Sequence, residues 1–463
     1  MRHYLTFAFA ALIACGPGAR HGGGDDTGDG GSGGSGGSGA MTCTSNCTAV
    51  TGKVYAPMWA PGQVPTGQEI PIFGALVYAS STPPTPIPDH TYCESCVDTP
   101  SNAVTTDHDG SFTLNVNPGT YYLVIQKGQF MLTQMVTFSG STMALPAQDT
   151  TLPSKWDPAN GAYIPKVAVV QGNYDAVEDI LAKIGFGTLS GDKMGSDVGE
   201  GGVQEVTFYQ WDDTGNTSAK YLLENVSEME KYHIIFFPCS TDVDDGELAS
   251  ETVLQNIRQF VKDGGKLYVT DWSGETADRA FPPQLQLGDD SGFDDEIDST
   301  GTYDPSTLAG TLTTPGTADG DEYDATDGKA IDPDLEAWLG LQIGPTEDDP
   351  TPQQYNPDQF TVVDNWNYIE KMNPVMKGMD GSGNPVYDEP KAWLTATDPN
   401  VSIGPKPVAV TYEPTGCGKV LYSTFQTSGA DASESHAGLM PQERVLLFLI
   451  MEISACTQNP IIE

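Results

Sequence analysis

HIIFFPCSTDVDDGELASETVLQNIRQFVKDGGKLYVTDW, residues 233–272, sets two continuous apolar runs around one amphipathic run. The first, ending at Cys239, and the second, KLYVTDW, lack the alternation of a half-exposed strand and read as strands buried on both faces. Between them, Val253, Leu254, Ile257, Phe260 and Val261 recur at helical spacing, and Gly264-Gly265 supplies the stop. A strand, a helix and a strand in that order predict a parallel pair joined by a crossover.

Moving outward, the pattern repeats. KVAVVQG (166–172) is a strand, and NYDAVEDILAKIGFG (173–187) is a helix with Val177, Ile180, Leu181 and Ile184 inward, Asn173 as cap candidate and Gly185 near its end. EVTFYQW (205–211), PVAVTYEP (407–414) and GKVLYSTF (418–425) add strands, and PQERVLLFLIMEISA (441–455) closes with a helix. From Val50 to Ser154 the helical signal disappears. Short runs such as GALVYAS, SFTLNV and TYYLVIQK alternate with Pro- and Gly-rich turns, with Phe112, Leu114 and Val116 on one face and Asn117-Pro118-Gly119 turning the chain. The expected architecture is multidomain: a β-sandwich over 43–154, then an α/β domain with a mostly parallel, helix-covered sheet over 160–458.

The sandwich segment resembles the carboxypeptidase regulatory-like domain in Gly52-Lys53-Val54, Gly74-Ala75-Leu76-Val77, Thr106-Asp107, Gly110-Ser111-Phe112 and Gly119-Thr120-Tyr121. The α/β segment resembles the class I glutamine amidotransferase-like fold in Val167–Val170, Ile234–Cys239, Gly264-Gly265-Lys266 and Cys417–Phe425. Active members of that superfamily carry a Cys on a strand-to-helix elbow and a His after a late strand. Here the elbow reads Trp272-Ser273-Gly274-Glu275, and Phe425-Gln426-Thr427 follows the late strand with His436 the nearest histidine. The resemblance therefore implies a degenerate domain whose role is binding or presentation. The rival reading is a hydrolase of amide or ester bonds using Cys239 or Ser273 with His436. Against Cys239, the acids Asp242, Asp244, Asp245 and Glu247 follow at once and oppose a thiolate.

The chain begins MRHYLTFAFAALIAC: a basic residue, an apolar run too short to span a bilayer, then Cys15. This is an export signal over 1–15, and Leu12-Ile13-Ala14-Cys15 resembles the lipobox of bacterial lipoproteins, implying cleavage before Cys15 and a lipidated Cys15. An ordinary signal peptide is the other reading. Gly16, not Asp, follows Cys15, which fits an outer-membrane destination, periplasmic or surface-exposed. Residues 16–42 are dominated by Gly, Ser and Asp and cannot bury enough apolar surface to fold; as a coil they reach on the order of 25–30 Å.

With 63 acids against 21 Lys and Arg, the net charge of −42 repels nucleic acid and leaves the lipid anchor as the expected membrane contact. The partners left open are a glycan or another envelope protein. Between Asp289 and Asp334, within an insertion placed at about 286–360, fourteen acids face the single Lys329. A solvated acidic face and a calcium site are both open, the metal candidates being Asp242, Asp244, Asp319, Asp321 and Asp324, with Asp107 and Asp109 in the first domain. For sugar stacking the candidates are Trp59, Tyr92, Tyr121 and Tyr122, or a cleft holding Trp366, Tyr368 and Trp393; a core role competes at each. Of eight cysteines, Cys417 and Cys456 are expected to pair, Cys43, Cys47, Cys93 and Cys96 to pair among themselves, and Cys239 to stay free.

Overall fold

The alternation in SFTLNV sends Phe112, Leu114 and Val116 inward and leaves Thr113 and Asn115 exposed. In the computed structural model, which describes residues 43, 45–94, 100–190, 193–194, 205–211, 213–240, 248, 250–287, 323–346, 349–379, 383–399, 404–427 and 438–453, that strand belongs to the first of two small sheets. The strands are β1 (Thr48–Lys53), β2 (Leu76–Ser80), β3 (Val104–Thr105), β4 (Ser111–Val116), β5 (Gly119–Lys127), β6 (Phe130–Phe138), β7 (Thr142–Ala144) and β8 (Ala162–Tyr163). Their orders are β4-β1-β7 and β3-β2-β5-β6-β8, and the two sheets share one core through Val50, Leu114, Val77, Leu123, Ile125 and Phe130. Strand β8 pairs with β6 through Tyr163 and Met131, so the sandwich runs past the boundary expected at 154.

Next come β9 (Val167–Gln171), α1 (Val177–Lys183), a hairpin of β10 (Leu189–Ser190) and β11 (Lys193–Met194), β12 (Val206–Gln210), α2 (Ala219–Leu223) and α3 (Val226–Met229). The quoted stretch supplies β13 (Ile234–Phe237), α4 (Glu251–Lys262) and β14 (Lys266–Thr270). After these follow α5 (Gly274–Ala280), β15 (Leu285–Leu287), β16 (Tyr323–Ala330), α6 (Pro333–Leu339), β17 (Ile343–Thr346), β18 (Asp349–Gln354) and β19 (Phe360–Asn365). The chain continues through β20 (Ile369–Met372), β21 (Val375–Met379), β22 (Pro385–Asp388), β23 (Lys391–Ala396), β24 (Lys406–Tyr412), β25 (Lys419–Ser423) and α7 (Pro441–Ile453).

These strands build a nine-stranded sheet in the order β12-β9-β13-β14-β25-β24-β23-β16-β19. The first five run parallel and the last four pair antiparallel, so the sheet is mixed. Successive residues of β9 go to different cores. Val167 and Val169 join the sandwich side with α1 and α7, while Ala168 and Val170 join α2, α4 and α5 on the other face. That double burial is why these strands read as unbroken apolar runs. Helix α4 buries the five residues its periodicity marked, each stabilising by roughly 1.5–3 kcal/mol.

Helix α7 is buried along almost its whole length and is the piece that joins the sandwich to the sheet. Its Arg444, fully buried, donates Nη1 to Gln342 Oε1 (2.7 Å) and Nη2 to the Ile343 carbonyl (2.6 Å), and stacks over Trp59 of the sandwich side. Glu443 pairs with Lys183 at 2.8 Å and Glu452 pairs with Lys127 of β5. From α6, Trp338 Nε1 donates to the Pro71 carbonyl at 2.7 Å. Residues 38–463 accordingly form one compact unit.

Several expectations need correction. Cys417 bonds Cys93, not Cys456, because the loop after β2 crosses to the amino end of β25; Cys43 bonds Cys47, while Cys96 and Cys456 lie outside the described residues. Residues 323–360, expected within an acidic insertion, include a strand of the main sheet and lead directly into another, β19: β16 buries Tyr323, Ala325 and Ala330 and turns Asp324 and Asp327 outward. Helix α1 starts at Val177 with Ala176 before it, so Asn173 is not its cap; Gly185 does follow its end, at φ +88°. Among the described residues no helix is long and apolar enough to cross a membrane.

Candidate functional site at the carboxyl edge

The parallel strands all point their carboxyl ends to one edge, where the loops after β9, β13, β14 and β25 converge. Gly172 makes the approach possible: a Cβ there would lie 2.2 Å from the Cys239 carbonyl oxygen. At the end of β14 the chain turns sharply into α5, and the turn is taken by Asp271 at φ +46°, a left-handed conformation that Asp tolerates better than most side chains. The elbow is thus one residue earlier than the Trp272–Glu275 tetrapeptide suggested.

Asp271 is fully buried. Its Oδ2 accepts from the Cys239 thiol at 3.5 Å, and Gln426 Nε2 donates to the same sulfur at 3.6 Å. A second acid, Asp175, sits in the same interior but is fully served: Thr270 Oγ1 donates to Oδ2 at 2.7 Å, and the Thr427 N–H (2.9 Å) and hydroxyl donate to Oδ1. Thr270 Oγ1 in turn accepts from the Cys239 N–H at 2.8 Å. Burial, and then the charge of Asp175, push the Asp271 carboxyl well above the usual carboxylate range. Burial likewise pushes the Cys239 thiol up, with Asp271 and Asp175 adding to the rise. Neither group is set up as a nucleophile at neutral pH.

Ser273 is also fully buried, and its Oγ donates to the Pro238 carbonyl at 2.6 Å, closing the elbow against β13. His436, Asp242, Asp244, Asp319 and Asp321 lie outside the described residues. Among the described residues no three His, Cys, Asp or Glu side chains converge as a metal-holding set; Asp324 Oδ1 accepts the Asp364 N–H at 3.2 Å. In the sandwich, Asp109 pairs with Lys53 at 2.6 Å and accepts the Ser111 N–H at 3.0 Å, while Asp107 shapes a turn through Gly110. Both stand beside a shallow groove of about 460 Å³ that includes Thr51, Lys53, Tyr55 and Asp107.

The aromatic candidates disperse. Trp59 is in the core and donates Nε1 to the Lys183 carbonyl at 3.1 Å, Tyr121 stacks on Phe138, and Tyr92 meets His233 edge-on. Tyr122 packs beside the small core of Val124, Met131 and Tyr163. Tyr368 and Trp393 are buried, the latter against Phe448. Trp366 alone of its group reaches the carboxyl edge, where it meets two rings that sequence reasoning missed, Tyr174 and Trp272. The signal that could have found them was position: each follows within a few residues of a sheet strand's carboxyl end.

No family model and no curated relative matches the chain. Among solved structures, a cytoplasmic protein from Salmonella typhimurium is similar over 62% of this chain and 98% of its own, at 13% identity and a TM-score of 0.31. The cold-adapted β-galactosidase from Rahnella sp. R3 is similar at 14% identity over 66% of this chain and 34% of the enzyme, with a TM-score of 0.23. A catalytic mutant of a GH42 β-galactosidase from G. stearothermophilus gives 11%, 66%, 32% and 0.22 for the same quantities. Likeness at this level bears on neither activity nor ligand.

Proposed function

We propose that this is a lipid-anchored cell-envelope protein, exported and acylated at Cys15, held at the outer membrane of a Gram-negative bacterium, with a binding or presenting role and no catalytic one. In this reading a carboxypeptidase regulatory-like sandwich precedes a class I glutamine amidotransferase-like α/β region that has lost its catalytic residues, its sheet mixed where the sequence suggested a mostly parallel one. The observation that carries it is the elbow. Where an active member of that superfamily needs a thiol, the strained position holds a buried aspartate, Asp271. The nearest thiol, Cys239, is one strand away and is disfavoured as an anion by two acids.

The test is iodoacetamide labelling of Cys239 in the folded, oxidised protein across pH 5–9, read by mass spectrometry. The expected result is labelling only on unfolding. Fast labelling with an inflection below the free-thiol value of about 8.5 would overturn the reading in favour of a hydrolase of amide or ester bonds.

A further inference from the structure

We propose that the cluster of Tyr174, Trp272 and Trp366 binds a neutral sugar ring, a proposal that rests on the binding role above and names its ligand class. Three rings from three separate segments meet here. Trp272 and Trp366 have centroids 5.0 Å apart, Tyr174 lies 5.9 Å from Trp272 and 6.5 Å from Trp366, and the rings are inclined by 53° to 69°. None of them belongs to the buried cores; Tyr174 is 37% exposed and the two Trp rings are half-buried. An exposed aromatic group at the ligand-gathering edge of an open sheet offers flat apolar faces for a ring to stack on.

A second observation points to the ligand's polar half. Behind the rings, Trp272 Nε1, Gln426 Oε1 and Asp271 Oδ1 are buried without a hydrogen-bond partner among the described residues. Gln426 is 1% exposed and Asp271 is 0% exposed. A buried polar atom without a partner is costly, and three together beside one aromatic group call for one. One is an N–H donor, one an amide acceptor and one a carboxyl oxygen. Hydroxyls answer all three, since each donates once and accepts twice. A pyranose combines such hydroxyls with an apolar C–H face. Tyr174, the most exposed of the three rings, is the side chain whose movement opens the way to the atoms behind. Asn173, beside Tyr174 on the loop after β9, accepts at Oδ1 from Ser240 Oγ of the loop after β13 at 3.1 Å.

An organic cation is the rival for an aromatic cluster. A cage that surrounds a cation needs open space between its rings. Here the closest pair is in direct edge-to-face contact, and the nearby Asp175 carboxylate is already taken up by Thr270 and Thr427.

The experiment is a tryptophan-fluorescence titration of the full chain with cello-, xylo-, malto-, galacto- and N-acetylglucosamine oligosaccharides, and with choline as the cation probe. The expected result is a saturable change with one sugar class, weakened at least about tenfold, or 1.4 kcal/mol, in Trp366→Ala and largely retained in Trp366→Phe. Gln426→Ala, which leaves the rings intact, should weaken the same sugar; unchanged melting temperatures exclude a folding cause. No response to any sugar, equal affinity in Trp366→Ala, or saturation by choline alone would overturn the sugar site while leaving a non-catalytic role standing. Shortening of the bound oligosaccharide, read by chromatography, would break the non-catalytic reading and leave the sugar site.

Discussion

The two ends of the same parallel strands bury charge in opposite ways. At the amino edge, Lys266 and His233 are enclosed by a loop of the sandwich: Thr91 donates to the Glu230 and Tyr232 carbonyls, Tyr92 packs on His233, and Cys93 is bonded to Cys417. Burial pushes Lys266 down to about 8, with Glu94 3.8 Å away opposing the fall, and pushes His233 down to about 3. At the carboxyl edge, burial drives Asp271 toward its neutral form instead. Burial disfavours the charged form at both edges, but the amino edge is sealed by another part of the chain through a covalent bond. Buried polar atoms without a hydrogen-bond partner among the described residues occur at both edges, His233 Nε2 and Lys266 Nζ at the one and Asp271 Oδ1 and Gln426 Oε1 at the other; what only the carboxyl edge keeps is an exposed aromatic group.

The largest effect should come from unsealing the amino edge. Replacing both cysteines, Cys93→Ser with Cys417→Ser, opens a loop spanning 324 residues of sequence and should cost roughly 4 kcal/mol in chemical denaturation. Sugar binding at the far edge should survive at temperatures where the protein stays folded. Lost binding by a folded variant would mean that the edges are coupled.

Next are the pH slopes, which should have opposite signs. The unfolded chain keeps the Lys266 proton to about 10.5 while the folded protein releases it at about 8, so this group makes stability rise with pH across that window. Because burial outweighs the pull of Glu94, Lys266→Met should flatten that rise and add about 3 kcal/mol below pH 8. For Asp271 the folded value is the raised one: the unfolded carboxyl ionises first, and stability falls as pH climbs above the ordinary carboxylate range. Asp271→Asn, which tolerates the same left-handed turn, should remove that fall. Urea titrations at several pH values compare the two variants, and slopes of the same sign would break the contrast. Smallest is Ser273→Ala, which loses only the bond to the Pro238 carbonyl and should cost about 1 kcal/mol with no change in ligand affinity.

How legible each edge was follows from range. Strands β9, β13, β14 and β25 could be read because double burial writes itself as unbroken apolar residues, and α4 because its five inward positions repeat every three or four residues. Strand β16 was hidden. Its outward Asp324 and Asp327 matched the acidic run before them, and only the spacing of Tyr323, Ala325 and Ala330 betrayed a strand. The site residues Asp175, Cys239, Asp271 and Gln426 are separated by up to 251 positions, so no local pattern joins them. Residue type misled as well: a cysteine and a serine drew attention, while the strained elbow carried an aspartate whose role depends on its φ. The Cys417–Cys456 expectation failed for the same reason, since nearness in sequence stood in for nearness in space.

The bond between Cys93 and Cys417 also dictates an order of events. A chain emerging amino end first offers Cys43 its partner Cys47 almost at once, but Cys93 must wait until nearly nine-tenths of the polypeptide has appeared. Cys96 and Cys239 arrive sooner and compete for it. Were the chain oxidised as it emerges, any early pairing of Cys93 with these sulfurs would have to be undone by thiol exchange once Cys417 is delivered.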